Sequence, residues 1–147
     1  MYKNILVPTD GSPLSRAAAA KAVKLAKSVG AKITGLFAAP PATPVVYRDH
    51  LPAGYLTPQQ HTKMIEQAAA KYLGVIEQAA KSAGVPCVCI HVTSDFPADT
   101  ILAVAKQQKC DLIFMASHGR RGLASMLLAS ETQKVVTHSK VPVLVSR

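Results

Sequence analysis

The sequence predicts an α/β protein built on a parallel, doubly wound sheet with helices on both faces. Three observations carry this expectation. Apolar runs alternate strictly with segments of helical periodicity, giving strand, helix, strand, helix, strand, helix, strand, loop, helix, strand. The strand-like runs are almost continuously apolar, as in strands buried on both faces and joined by right-handed crossovers. Finally, 147 residues with 49% hydrophobic and 17% charged side chains suit one folded domain, residues 1–147, and exclude a disordered chain.

Each element has its own signals. Residues 3–8 form a short apolar run that ends in Thr9-Asp10-Gly11-Ser12-Pro13, where Ser12 suits a helix cap and Pro13 the first helical position. Leu14, Ala18, Ala22, Leu25, Ala26 and Val29 then recur at helical spacing until Gly30 stops the helix. Residues 31–39 read as the second strand. The Pro-rich segment 40–57 has no period and is the one long irregular stretch. Thr57 and Gln60 form a capping box, and Ile65, Ala69, Tyr72, Ile76, Ala79 and Ala83 carry a long helix to Gly84. A third strand is expected over 86–92, a third helix over 95–106 with Ile101, Leu102 and Ala105 inward, and a fourth strand over 111–116. After a Gly- and Arg-containing stretch, Ser130 and Gln133 form a second capping box, which places the start of the last helix at Ser130. Residues 141–145 make the final strand.

Composition narrows the function classes. Seventeen Lys and Arg against eight Asp and Glu give a net charge of +9, compatible with an anionic partner. The basic residues are spread from Lys3 through Lys21, Lys24 and Lys27 to Lys134 and Arg147, as solvated helix faces would be. With no basic cluster, 5% aromatic residues and no Trp, the chain lacks the footprint of a nucleic-acid platform. No window approaches the ~20 apolar residues of a membrane span. The N-terminus runs directly into a strand without a signal-like segment, and three cysteines, an odd number, read as reduced thiols. A cytoplasmic protein without a membrane partner is therefore expected.

In open α/β sheets, ligands bind beyond the carboxyl ends of the strands at the topological switch point. Two segments there carry chemistry: 8–12 after the first strand and 117–122 after the fourth. In a sheet of order 3-2-1-4-5 they would face each other. Gly119 and Gly122 allow the backbone to curl around a phosphate, and a helix capped at Ser130 would present its first N–H groups to an anion. An ordinary connection with glycines serving turn geometry is the alternative. Neither a Walker A loop nor a Gly-x-Gly-x-x-Gly fingerprint is present.

Three segments together carry a family likeness: Asn4-Ile-Leu-Val-Pro-Thr-Asp-Gly-Ser12, Asp111-Leu-Ile-Phe-Met-Ala-Ser-His-Gly-Arg-Arg-Gly122, and Ala129-Ser130 followed by Val141-Pro-Val-Leu-Val145. In sequence and spacing the chain resembles the universal stress protein family in its single-domain form. The resemblance implies a five-stranded sheet of order 3-2-1-4-5, a cytoplasmic homodimer joined through the C-terminal strand, and, in one branch, ATP held by a Gly-x2-Gly-x9-Gly-Ser/Thr motif, with or without Mg²⁺. That motif falls on Ala116 to Ser130, with Gly119 and Ser130 matching and with Ala116 and Ala129 in place of the first and third glycines. The resemblance further implies that Pro8, Thr9 and Asp10 lie near adenine and ribose. Gly119, Ala129 and Ser130 would meet the phosphates, Met115 and His118 would flank the path, Glu131 would open the helix, and Ala38 would offer main-chain groups to adenine. If the first motif position needed a positive φ, Ala116 would cost on the order of 1 kcal/mol.

Other constellations are set aside. Cys87, Cys89 and His91 share one strand face, but at ~3.3 Å per residue the outer two are about 13 Å apart, too far for one zinc ion. Buried small thiols are expected, Cys110 included. Ser117 and His118 are adjacent and diverge on an extended backbone, and no nucleophile elbow exists, so covalent hydrolysis is not expected. His138 suits a helix C-terminus, and nothing is assigned to His50 or His61. The chain thus reads as a nucleotide-binding stress or signalling module. Slow ATP hydrolysis is the most catalysis it would show, with Asp10 and Glu131 the only nearby carboxylates. The alternative is an interaction module of the same fold, working through its basic surface or the 40–57 segment without nucleotide.

Overall fold

The structure, a computed structural model, describes residues 1–41, 57–117 and 126–147, except the side chains of 126–130. Strands β1 (Asn4–Thr9), β2 (Lys32–Ala39), β3 (Cys87–Thr93), β4 (Leu112–Ala116) and β5 (Val143–Ser146) alternate with helices α1 (Pro13–Val29), α2 (Pro58–Ala83), α3 (Pro97–Gln107) and α4 (Met126–His138). All paired strands are parallel, in the order β3-β2-β1-β4-β5, as expected. Helices α1 and α2 lie on one face and α3 and α4 on the other, so the switch point lies between β1 and β4.

Alternating side chains of the central strands feed two cores. Ile5, Val7, Ile33, Phe37 and Phe114 pack beneath α1 and α2, while Leu6, Leu36, Ile113 and Met115 pack with Ile101 and Val104 of α3 and Val135 of α4. Each such aliphatic side chain removed from water contributes roughly 1.5–3 kcal/mol. Toward β1, α1 turns Ala18, Ala19, Ala22 and Ala26, small side chains that bring the helix close to the sheet.

Polar groups fasten the other end of the sheet. The Asp111 carboxylate accepts the Lys3 N–H at 2.9 Å and the Asn4 N–H at 3.1 Å. The buried Asn4 side chain accepts from the Thr34 hydroxyl at 2.9 Å and donates to the Gln108 carbonyl at 2.9 Å. These bonds tie β1, β2 and the entrance to β4 at their N-terminal ends.

Element boundaries follow the sequence to within about a residue, with three exceptions. Ser12 caps α1, the Thr57–Gln60 capping box opens α2, and Gly30 and Gly84 end these helices in the left-handed region. Helix α3 starts at Pro97 instead of Asp95, because Phe96 before the proline is held out of helical geometry. Strand β5 starts at Val143 instead of Val141. Pro142 lacks an N–H, and the Ser139 hydroxyl bonds both main-chain groups of Val141, turning the chain there. The third exception, the start of α4, falls at the site.

Candidate functional site

Beyond β1 the chain makes a tight, self-bonded turn. Asp10 Oδ1 accepts the Ser12 N–H at 2.9 Å, an Asx turn that sets up the helix start, and Ser12 Oγ caps the Ser15 N–H at 3.1 Å. The Ser15 hydroxyl donates to the Ser12 carbonyl at 3.0 Å, so Thr9, 3.1 Å away, is the donor to Ser15. Thr9 Oγ1 in turn accepts the Gly11 N–H at 3.1 Å. Gly11 has φ +79°, and any Cβ there would run into the ring of Tyr72. That ring is itself held edge-on to Phe37 with centroids 5.2 Å apart. Local hydrogen bonds and one glycine thus fix the turn beneath α2.

This turn forms one wall of a cavity of about 150 Å³. Pro8, Thr9, Asp10 and Ser15 line that side, Ala38 the end of β2, Met115 and Ala116 the end of β4, Pro97 and Ile101 α3, and Glu131 and Thr132 α4. Most of this surface is apolar. The polar groups that face it are a few hydroxyls and two carboxylates. Thr132 Oγ1 donates to the Ala116 carbonyl at 3.3 Å, anchoring α4 to β4. Glu131 Oε2 accepts the Ala98 N–H at 3.0 Å, and its Oε1 pairs with Lys134 Nζ at 3.1 Å. Phe96 offers no side-chain cap to α3, so α4 supplies one through Glu131. The Ala39 carbonyl accepts from Ser94 on the β3 side. By strand alternation the main-chain groups of Ala38 turn the other way, toward β1 and the cavity.

Of the residues the sequence singled out, Pro8, Thr9, Asp10, Ala38, Met115 and Glu131 meet around this one cavity. His118 and Gly119, with Arg120, Arg121 and Gly122, lie outside the described residues. Ala129 and Ser130 lie in α4, their side chains outside the description. The expectation that Ser130 caps the last helix is corrected. Because α4 begins at Met126, Ser130 stands in its second turn, and the helix-start N–H groups lacking intrahelical partners belong to 126–128. Accordingly, Glu131 does not open α4 but reaches across to the start of α3. The expected strain at Ala116 is absent: it ends β4, and Lys109 is the only non-glycine with positive φ among the described residues. Ser15, Pro97, Ile101 and Thr132 were not singled out. Ser15 carried a legible signal, three residues beyond a cap; the others reach the cavity only through tertiary packing.

The thiols are placed differently from expectation in part. Cys110 is buried, and burial pushes its thiol above the usual range. Cys87 and Cys89 are only half-buried, because β3 is an edge of the sheet, and their sulfurs are 3.8 Å apart. His91, on the same face, is exposed.

A profile of the Universal stress protein family matches residues 1–147. The chain belongs to this family. Among universal stress proteins, YxiE of Bacillus subtilis is 34% identical over the whole of both chains. The structure of MJ0577, a universal stress protein of Methanocaldococcus jannaschii, superimposes with a TM-score of 0.74 at 27% identity, covering 99% of this chain and 95% of that one. A universal stress protein solved in complex with cAMP gives a TM-score of 0.70 at 26% identity, covering 99% and 97%. As in these neighbours, the universal stress protein fold here is a five-stranded parallel sheet between helices. Among the described residues, no helix is long and apolar enough to cross a membrane.

Proposed function

We propose that this universal stress protein binds an adenine nucleotide, ATP foremost, in the cavity at the switch point, and acts as a cytoplasmic stress-response module. The observation that carries the reading is the convergence of Pro8, Thr9, Asp10, Ala38, Met115 and Glu131 on one largely apolar cavity. A void near 150 Å³ accommodates a six-membered aromatic ring, and an open mouth leaves room for the rest of a nucleoside. Pro8, Met115 and Ile101 supply apolar contact for a base, Ala38 main-chain groups for its edge, and Asp10 a carboxylate for ribose hydroxyls. The phosphates would run toward the start of α4, where the helix dipole and the first-turn N–H groups favour anions, and Mg²⁺ can accompany them. That a neighbour of the same fold was solved with cAMP supports the nucleotide class.

Equilibrium dialysis of labelled ATP with the purified protein tests the reading. Saturable binding is expected, and its absence at millimolar ATP overturns it. A second reading rests on Glu131. Its carboxylate sits in the cavity wall and repels phosphates, which suits an interaction module that ignores nucleotide; partner capture unaffected by ATP is its mark.

The protein is further proposed to be a homodimer through β5. Among the described residues no strand pairs with its outer edge, and Leu144 and Val145 are each 39% exposed. Antiparallel pairing with a second copy about a two-fold axis satisfies that edge.

A further inference from the structure

We propose that Cys87 and Cys89 form a redox-modification site, closing reversibly to an intrastrand disulfide by exchange with a low-molecular-weight disulfide. The two thiols are one residue apart on β3, point to the same face beneath α2, and hold their sulfurs 3.8 Å apart. Closing the bond requires an approach of about 1.8 Å. In a strand the Cβ atoms of alternate residues stay roughly 6.6 Å apart like their Cα atoms, beyond the ~4.5 Å that a disulfide spans. Closing the bond therefore draws the two residues together and distorts β3 locally, which its place at the edge of the sheet allows, and leaves the bond strained. Strained disulfides are oxidising and readily reopened by thiols, the behaviour of a reversible modification. The opposing position on β2 is Gly35, where even a Cβ would come within 2.9 Å of Cys89 Sγ. Glycine in a buried central strand weakens it, and here it makes room for the sulfur.

The two thiols are not equivalent. The Cys89 S–H stabilises the Cys87 thiolate by hydrogen bonding, and this holds Cys87 below the ordinary thiol range against the opposing effects of burial and Glu77. Cys89 is pushed up by the same bond and by burial; while Cys87 is a neutral thiol, the Cys89 S–H donates instead to the Leu73 carbonyl at 3.9 Å. Cys87 is therefore the attacking sulfur. Its thiolate displaces one thiolate from the small disulfide and forms a mixed disulfide. Cys89 then gives up its proton and attacks the Cys87 sulfur, releasing the second small thiol. One small disulfide is reduced to two thiols as the protein pair is oxidised.

Oxidised glutathione at neutral pH, followed by an acid quench, alkylation and mass spectrometry of the peptide from Ser82 to Lys106, tests this in the full chain. The parent is expected to lose both alkylatable thiols in that peptide, retain no glutathione and recover both with dithiothreitol, while Cys110 stays reduced. Cys89→Ser is expected to trap glutathione on Cys87, about tenfold or more faster than Cys87→Ser traps it on Cys89. Glutathione retained on the parent's Cys87, equal rates in the two variants, or two inert thiols would each overturn the assignment.

Discussion

Substituting Gly11 by Ala probes the geometry that holds the site. Two separate penalties arise. A left-handed backbone costs a residue with a Cβ about 1–2 kcal/mol. The new methyl also collides with the Tyr72 ring, which cannot swing away freely because it packs edge-on against Phe37. Relieving such overpacking costs typically 1–3 kcal/mol. Together, Gly11→Ala is expected to destabilise the fold by about 2–5 kcal/mol. Urea unfolding followed by circular dichroism measures this as a lower midpoint at unchanged slope. Tyr72→Ala separates the penalties. In a double-mutant cycle the steric part appears as a coupling of about 1–3 kcal/mol, while the backbone part persists in both backgrounds. A Gly11→Ala protein within about 0.5 kcal/mol of the parent, or strictly additive variants, would refute the reasoning.

Three further outcomes are expected. Glu131→Ala leaves the Ala98 N–H without its acceptor at the start of α3 and lowers stability by about 1 kcal/mol; because it also removes a negative charge from the cavity, ATP affinity in dialysis rises or holds, and a loss of affinity would assign Glu131 to ligand contact. Asp10→Ala weakens ATP and ADP binding to the same extent if the carboxylate meets the ribose, whereas loss confined to ATP places it at metal or phosphate. The double substitution Val143→Lys and Val145→Lys, which sets like charges against each other across a two-fold seam, converts a dimer to a monomer in light scattering; a parent that is monomeric at tens of micromolar contradicts the interface.

Elements with local punctuation were legible in the sequence. Ser12-Pro13, the Thr57–Gln60 box, Gly30 and Gly84 each act within one turn of their own position, and each marks a real boundary. Strand identity was equally plain, since residues such as Ile5, Leu6 and Val7 are apolar in succession because both faces are covered. Ser130 misled for the same local reason. Its spacing to Gln133 is that of a capping box, but α4 has already begun at Met126, and the sequence of 126–129 is a good helix former that extends the element backwards. Cavity residues from the turn after β1 were legible because the switch point follows from topology. Pro97, Ile101 and Thr132 were not, because nothing local indicates that α3 and α4 converge over β4. The cross-helix bond from Glu131 to Ala98, spanning 33 residues, has no counterpart in sequence pattern.

The Asp111 and Asn4 bonds bear on how this molecule can change. They register three strands from the end of the sheet opposite the cavity, and they do so with side chains that do not line it. Residues around the cavity are released from that duty. Substitutions around the cavity can therefore change its shape and polarity while leaving strand order intact. Ala116 shows the separation: it lines the cavity and at the same time ends a regularly paired strand.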